Sequence, residues 1–208
     1  MIPLMIDLSG RSVVIFGGGD VGARKAAFFC HEADVTVISR SFSPLFDKLT
    51  VQQSVADISR MNDEEIRHAV SGAFLVVAAT SDAGLNNRIG ERCREEGILF
   101  NNAEGAEGPV LIPSVVRGEY YLLAVSTGGQ SPAISRYIRE LIENACPELD
   151  AMIALQTRLR LELKKGIADQ KDRSEILREV IHDPEVWQAL AVNPETAWSL
   201  VAGRYLHG

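Results

Sequence analysis

Through the first half of the chain, short unbroken apolar blocks alternate with stretches in which apolar residues recur every three or four positions. That alternation predicts parallel β-α-β units, because a strand buried on both faces reads as a continuous apolar run while a covering helix shows a stripe. Ser12-Val13-Val14-Ile15-Phe16 reads as a buried strand and Val21 to Cys30 as the helix after it. Val35-Thr36-Val37-Ile38 is a second strand, Val51 to Val55 a third, Phe74 to Ala79 a fourth and Ile98 to Phe100 a fifth. Asn62 marks a helix start, with Asp63, Glu64 and Glu65 in the first turn where negative charge suits the dipole, and Leu85 to Glu96 is the next helix. The fold class expected is α/β, with a Rossmann-like parallel sheet.

After Asn102 the pattern changes. Val110 to Val116 and Tyr120 to Ser126 are both β-like, and Arg117-Gly118-Glu119 between them is too short for a crossover helix, so a hairpin is expected. Ser131 as N-cap and Pro132 at the first helical position open a helix whose Ile134, Tyr137, Ile138, Leu141, Ile142 and Ala145 share one face. From Leu149 onward the chain reads as wholly helical, with Asp183-Pro184 and Asn193-Pro194 starting the last two segments. The expected division is a nucleotide-binding domain over 1–112, a hairpin-plus-helix dimerisation element over 113–147 and a small helical domain over 148–208. A hairpin and one helix bury too little to fold alone. Either a second copy of the chain covers them or they pack on their own sheet.

Composition narrows the class. A chain of 208 residues, 46% hydrophobic and 24% charged, suits a globular domain with an appendage. With 21 basic and 28 acidic side chains the net charge is -7, which argues against nucleic acid and anionic membranes as partners. The start, Met1-Ile2-Pro3-Leu4-Met5-Ile6-Asp7, has no basic leader, and no apolar run approaches the roughly 20 residues that span a bilayer, so the expected location is cytoplasmic. Cys30, Cys93 and Cys146 are too scattered for a disulfide or zinc framework, and His31, His68, His182 and His207 show no metal-ligand spacing, so no metal site is expected.

Two glycine-rich segments carry the candidate chemistry. Gly17-Gly18-Gly19-Asp20-Val21-Gly22 lies between the first strand and its helix, where a G-x-G-x-x-G run makes a tight turn, lets backbone approach a pyrophosphate, and allows close helix-to-strand packing. Gly17, Gly19 and Gly22 fill those places, Gly18 and Asp20 the variable ones, and Asp20 and Val21 open the helix whose N-terminus faces the phosphates. The acid that usually ends the second strand to hold ribose hydroxyls is missing from Ile38-Ser39-Arg40-Ser41. Arg40 either meets a 2′-phosphate or is a solvated loop residue, which leaves NAD and NADP both open. Thr80, at the end of the fourth strand, is either a cofactor contact or an ordinary turn residue. The second segment, Ser126-Thr127-Gly128-Gly129-Gln130-Ser131-Pro132, joins the hairpin to a helix start and offers backbone N–H groups to an anion.

In Pro3-Leu4, Leu8-Ser9-Gly10-Arg11, the Gly17 to Ala26 run, Ala78-Ala79-Thr80, the Asn101 segment, Ile112-Pro113-Ser114 and Ala124 to Pro132, the chain resembles the precorrin-2 dehydrogenase and sirohydrochlorin ferrochelatase family, the N-terminal module of siroheme synthases. The resemblance implies a homodimer that oxidises the tetrapyrrole precorrin-2 to sirohydrochlorin with NAD, and in some members inserts Fe2+, as substrate rather than resident metal. The family base is an Asp three residues after the Asn that ends the fifth strand. The matching position here is Glu104, a departure that keeps the carboxylate and adds a methylene, with Glu107 as a rival. Ser126, Thr127, Gly128, Gly129 and Ser131 then face the carboxylate arms of the substrate, with Arg117 and Arg136 as cationic partners. Arg136 and Arg139 are equally well placed to pair with Glu140 and Glu143 along their own helix. Direct hydride transfer requires the nucleotide crevice and the macrocycle platform to share one cavity. Two other classes remain: a dinucleotide-sensing regulatory module, against which the missing ribose acid counts, and a tetrapyrrole chelatase or carrier without redox activity, which would bind no NAD.

Overall fold

The computed structural model describes residues 1–103 and 108–206; Glu104, Glu107 and His207 lie outside the described residues. Five strands, β1 (Ser12–Phe16), β2 (Asp34–Ser39), β3 (Gln52–Val55), β4 (Leu75–Ala78) and β5 (Leu99–Asn102), form a parallel sheet in the order β3-β2-β1-β4-β5. Side chains alternate across a strand, so Val13 and Ile15 of β1 enter one core and Val14 and Phe16 the other. Both faces of β1 and β4 are covered, which is why these strands read as unbroken apolar runs, while the edge strand β3 is exposed at every position. α1 (Asp20–Phe29) covers the first face through Ala23, Ala26 and Phe29. α2 (Asp63–Val70) and α3 (Ala83–Glu95) cover the second through Ile66, Val70, Leu85, Ile89 and Cys93. Burial pushes the Cys93 thiol up to about 12, so it packs as a small apolar group.

Local chemistry sets the element ends. Asn62 and Glu65 form a reciprocal capping box at the start of α2, at 2.9 and 2.7 Å. Two single-turn 3-10 helices, Pro44–Lys48 and Ile58–Arg60, had no apolar period to announce them; Ser43 and Asp57 nucleate them by capping Leu45 and Ser59.

The hairpin differs from expectation in where it begins. Its strands are β6 (Ser114–Arg117) and β7 (Leu122–Val125), paired antiparallel from Ser114↔Val125 to Arg117↔Leu122. Val110 and Ile112 belong instead to the core of the large sheet, where the Val110 N–H donates to Phe100 O at 3.2 Å, and Pro113 brings no N–H to a ladder. The chain accordingly divides into two compact units, Met1–Ile112 with Gly128–Gln130, and Pro113–Thr127 with the residues from Ser131 on.

In the second unit, α4 (Pro132–Ala145) follows the hairpin, capped by Ser131. The helical region is four helices, α5 (Leu149–Gly166), α6 (Gln170–His182), α7 (Pro184–Val192) and α8 (Pro194–Tyr205), the last two starting at Pro184 and Pro194 as expected. Asp169, Asp183 and Asn193 cap the last three, and the break after Gly166 is the one the sequence pattern did not mark. Leu155, Leu159 and Leu163 repeat every fourth residue into a core shared with Val180, Val186, Leu190 and Val201. Asp150, in the first turn of α5, accepts the N–H groups of Glu119 and Tyr120 at 3.0 and 2.9 Å and so braces the hairpin turn. Among the described residues no helix is long and apolar enough to cross a membrane.

Among the described glycines Gly22 leaves the least room for a side chain: an added Cβ would stand 1.9 Å from the carbonyl oxygen of Gly17. Gly22→Ala must therefore push α1 away from β1, at an expected cost of about 1–3 kcal/mol. Thermal unfolding followed by circular dichroism should fall by several degrees, and an unchanged midpoint would refute this packing.

Candidate functional site

Where β1, β2 and β4 end, the sheet unit leaves an open crevice of about 590 Å³. Its floor is Gly17, Gly18 and Gly19 with Asp20 and Val21 of α1. Ser39 and Arg40 beyond β2 and Asp57 and Ser59 beyond β3 form one side, and Ala79 to Asp82 with Leu85 the other. Seven of the expected contacts, Gly17, Gly19, Asp20, Val21, Ser39, Arg40 and Thr80, meet here. Gly22 does not line the crevice; it sits in the first turn of α1, packed on Gly17.

The glycines divide by function. Gly17 adopts φ 116°, open to glycine, with a Cβ position 2.3 Å from Ala79 O. Gly18 is not the variable position the fingerprint suggests. A Cβ there would lie 2.2 Å from Ser41 O and 2.8 Å from Ser39 Cβ, because the segment after β2 folds back on it: the Ser43 N–H donates to Gly18 O at 2.7 Å, and Ser43 Oγ to Asp20 Oδ1 at 2.5 Å. Gly19 is the opposite case, with nothing within 4 Å of its Cβ position. It is the N-cap of α1, and no side chain caps that helix or α5, whereas α2, α3, α4, α6, α7 and α8 each start on a capping side chain. A helix start that keeps its first-turn N–H groups for an outside acceptor, beside a residue without a side chain, fits a pyrophosphate.

Thr80 is held by a buried partner that the sequence pattern missed. Asn86 of α3 is fully buried; its Oδ1 accepts from Thr80 Oγ1 at 2.7 Å and Thr80 N at 3.2 Å, and its Nδ2 donates to Thr80 O at 3.0 Å. The only signal was an amide between Leu85 and Ile89 on an apolar helix face. Asp57 was also missed. Its carboxylate is held below its ordinary range first by the Ser59 hydroxyl, 2.6 Å from Oδ1, and then by the charges of Arg40 and Arg60.

The turn after β7 is built from its own polar groups. Thr127 Oγ1 accepts the Ser131 N–H at 2.9 Å and donates to Ser131 O at 3.1 Å, Ser131 Oγ caps Ile134 N at 3.4 Å, and Ser126 precedes this staple directly after β7. Gly128 and Gly129, at φ 64° and 84°, supply the left-handed backbone such a turn needs. Arg136 pairs with Glu140 at 2.8 Å and Arg139 with Glu143 at 3.0 Å, the intrahelical alternative of the two left open. Arg117 is exposed at the end of β6. Before Glu104, Asn101 is 4% exposed and its Nδ2 donates to Val110 O at 2.8 Å, tying the end of β5 to the chain beyond the undescribed segment.

Residues 4–114 match an NAD(P)-binding family model, and residues 123–145 match the model for the sirohaem biosynthesis protein central region. The precorrin-2 dehydrogenase of Methanosarcina barkeri (strain Fusaro / DSM 804) is 43% identical over 94% of this chain and 89% of its own length. The siroheme synthase of Stutzerimonas stutzeri (strain A1501) is 30% identical over 97% of this chain, which spans 43% of that larger protein. The solved structure of SirC, precorrin-2 dehydrogenase, has the same fold, with a TM-score of 0.73 at 23% identity over 98% of this chain and 100% of that one.

Because a methyl group at Gly19 would enter open space, Gly19→Ala should fold normally, costing at most about 1 kcal/mol at the helix cap. Calorimetric titration should nevertheless show at least a tenfold loss of dinucleotide affinity. Unchanged affinity would remove the pyrophosphate from this position.

Proposed function

Because the chain belongs to the precorrin-2 dehydrogenase family, we propose that it oxidises precorrin-2 to sirohydrochlorin with NAD as the hydride acceptor. The observation that carries this reading is the uncapped, glycine-lined start of α1 at the ends of the parallel strands, in a chain 43% identical to a precorrin-2 dehydrogenase along nearly its whole length. A bound nicotinamide supplies the acceptor for the hydride that leaves the reduced macrocycle. The chain's own residues do the rest. Gly17, Gly19 and the first-turn N–H groups at Asp20, Val21 and Gly22 seat the pyrophosphate, and Ser39, Arg40 and Thr80 border the remaining nucleotide.

The proton lost with the hydride goes to Glu104, the carboxylate at the position of the family base, with Glu107 next in line. The carboxylate arms of the tetrapyrrole meet the Ser126-Thr127-Gly128-Gly129 turn and the N-terminus of α4 at Ser131, with Arg117 and Arg136 supplying charge. Arg136 would exchange Glu140 for a substrate carboxylate, a like-for-like ion pair.

We also place the working form as a homodimer. Ile134, Tyr137 and Leu141 of α4 are 49%, 61% and 54% exposed, and Tyr120 and Leu122 of the hairpin are exposed too. This apolar surface on the second unit suits a second copy of the chain.

In an anaerobic assay following NADH formation with precorrin-2, Glu104→Ala should lose at least about a hundredfold in rate while keeping its NAD affinity. Near-normal turnover would move the base elsewhere, and adding Fe2+ to the same reaction reads the chelation branch. Light scattering should find a dimer for the native chain and a monomer for Tyr137→Asp combined with Leu141→Asp; a native monomer would overturn the dimer.

A further inference from the structure

We propose that Asp57, two residues beyond the end of β3, is the acid that reads the cofactor ribose and turns away a 2′-phosphate, with Arg40 as its exposed ion-pair neighbour rather than as a phosphate receptor. The inference rests on the dinucleotide reading above and extends it to cofactor choice. Dinucleotide folds place an acid at the end of the second strand, and Ile38-Ser39-Arg40-Ser41 has none. The strand order supplies one from next door. β3 pairs with β2 in the register Ser39↔Val55, and the Ala56 N–H donates to Ser39 O at 3.0 Å. Asp57 therefore arrives at the crevice edge beside Ser39 and Arg40, and all three line it.

The carboxylate is oriented and still has room for a ligand. Oδ1 accepts from Ser59 Oγ at 2.6 Å and Ser59 N at 3.2 Å, which fixes the group. Oδ2 meets Arg60 Nε at 3.3 Å, on a side chain 87% exposed, and a carboxylate offers about four acceptor sites, so ribose hydroxyls have lone pairs to use. Arg40 Nε stands 3.9 Å from Oδ1. The charge acts locally: at this edge of the crevice, away from the N–H groups at the start of α1, a carboxylate repels a 2′-phosphate and accepts hydrogen bonds from a neutral ribose, and Arg40 is the one basic residue among the described lining.

The test is calorimetric titration of the purified protein with NAD+ and with NADP+, which needs no turnover. The native chain should bind NAD+ at least tenfold tighter. Asp57→Asn keeps a capping oxygen for the Ile58–Arg60 turn and removes the charge, and should shrink that preference at least fivefold, mostly by tightening NADP+. The gain should vanish in Asp57→Asn with Arg40→Ala, since a released Arg40 is what would hold the phosphate. Asp57→Ser, checked with Asp57→Asn by circular dichroism, should shift the preference in the same direction. A ratio unmoved in folded Asp57 variants, or a native preference for NADP+, overturns the proposal. A native chain that binds neither nucleotide overturns the dinucleotide reading itself.

Discussion

The contact of Gly22 with the carbonyl of Gly17 is what the sheet unit is arranged around. It draws the first helix onto the central strand at a distance only hydrogen side chains permit, and so fixes the start of α1 at the carboxyl ends of the strands. From there the dipole and the uncapped N–H groups point outward at the crevice. Every other boundary of the crevice is then set by which strand neighbours which.

Those boundaries are stiff because their polar groups are satisfied within the protein. Thr80 is locked on three sides by Asn86, Asp82 caps α3 through Leu85 N, and Ser43 ties the segment after β2 to both Gly18 and Asp20. A wall of this kind loses little conformational freedom when a ligand arrives, which is how preorganised sites keep their affinity. The uncapped start of α1 stands out beside these paired side chains.

The second unit uses the same devices for a different purpose. Thr127 and Ser131 lock the glycine turn, Asp150 braces the hairpin, and the helical core fills with leucine and valine at helical spacing. Its outer surface is less finished. Of the apolar stripe read along α4, Ile138 and Ile142 are half-buried while Ile134, Tyr137, Leu141 and Ala145 stay exposed.

The sequence by itself determined the five parallel strands, the helices between them, the capped starts at Asn62, Ser131, Asp183 and Asn193, and the family, because these depend on near neighbours along the chain. Period, capping chemistry and glycine spacing are all local. Only the tertiary structure decided that Gly18 is confined by Ser39 and Ser41, that Val110 and Ile112 belong to the large sheet, that Asn86 holds Thr80, and that Asp57 stands beside Arg40. Each of these joins residues that no periodicity or capping pattern links: the Gly18 and Asp57 contacts follow from which strands are neighbours, and the Asn86 and Val110 contacts from how a connection folds back on its strand.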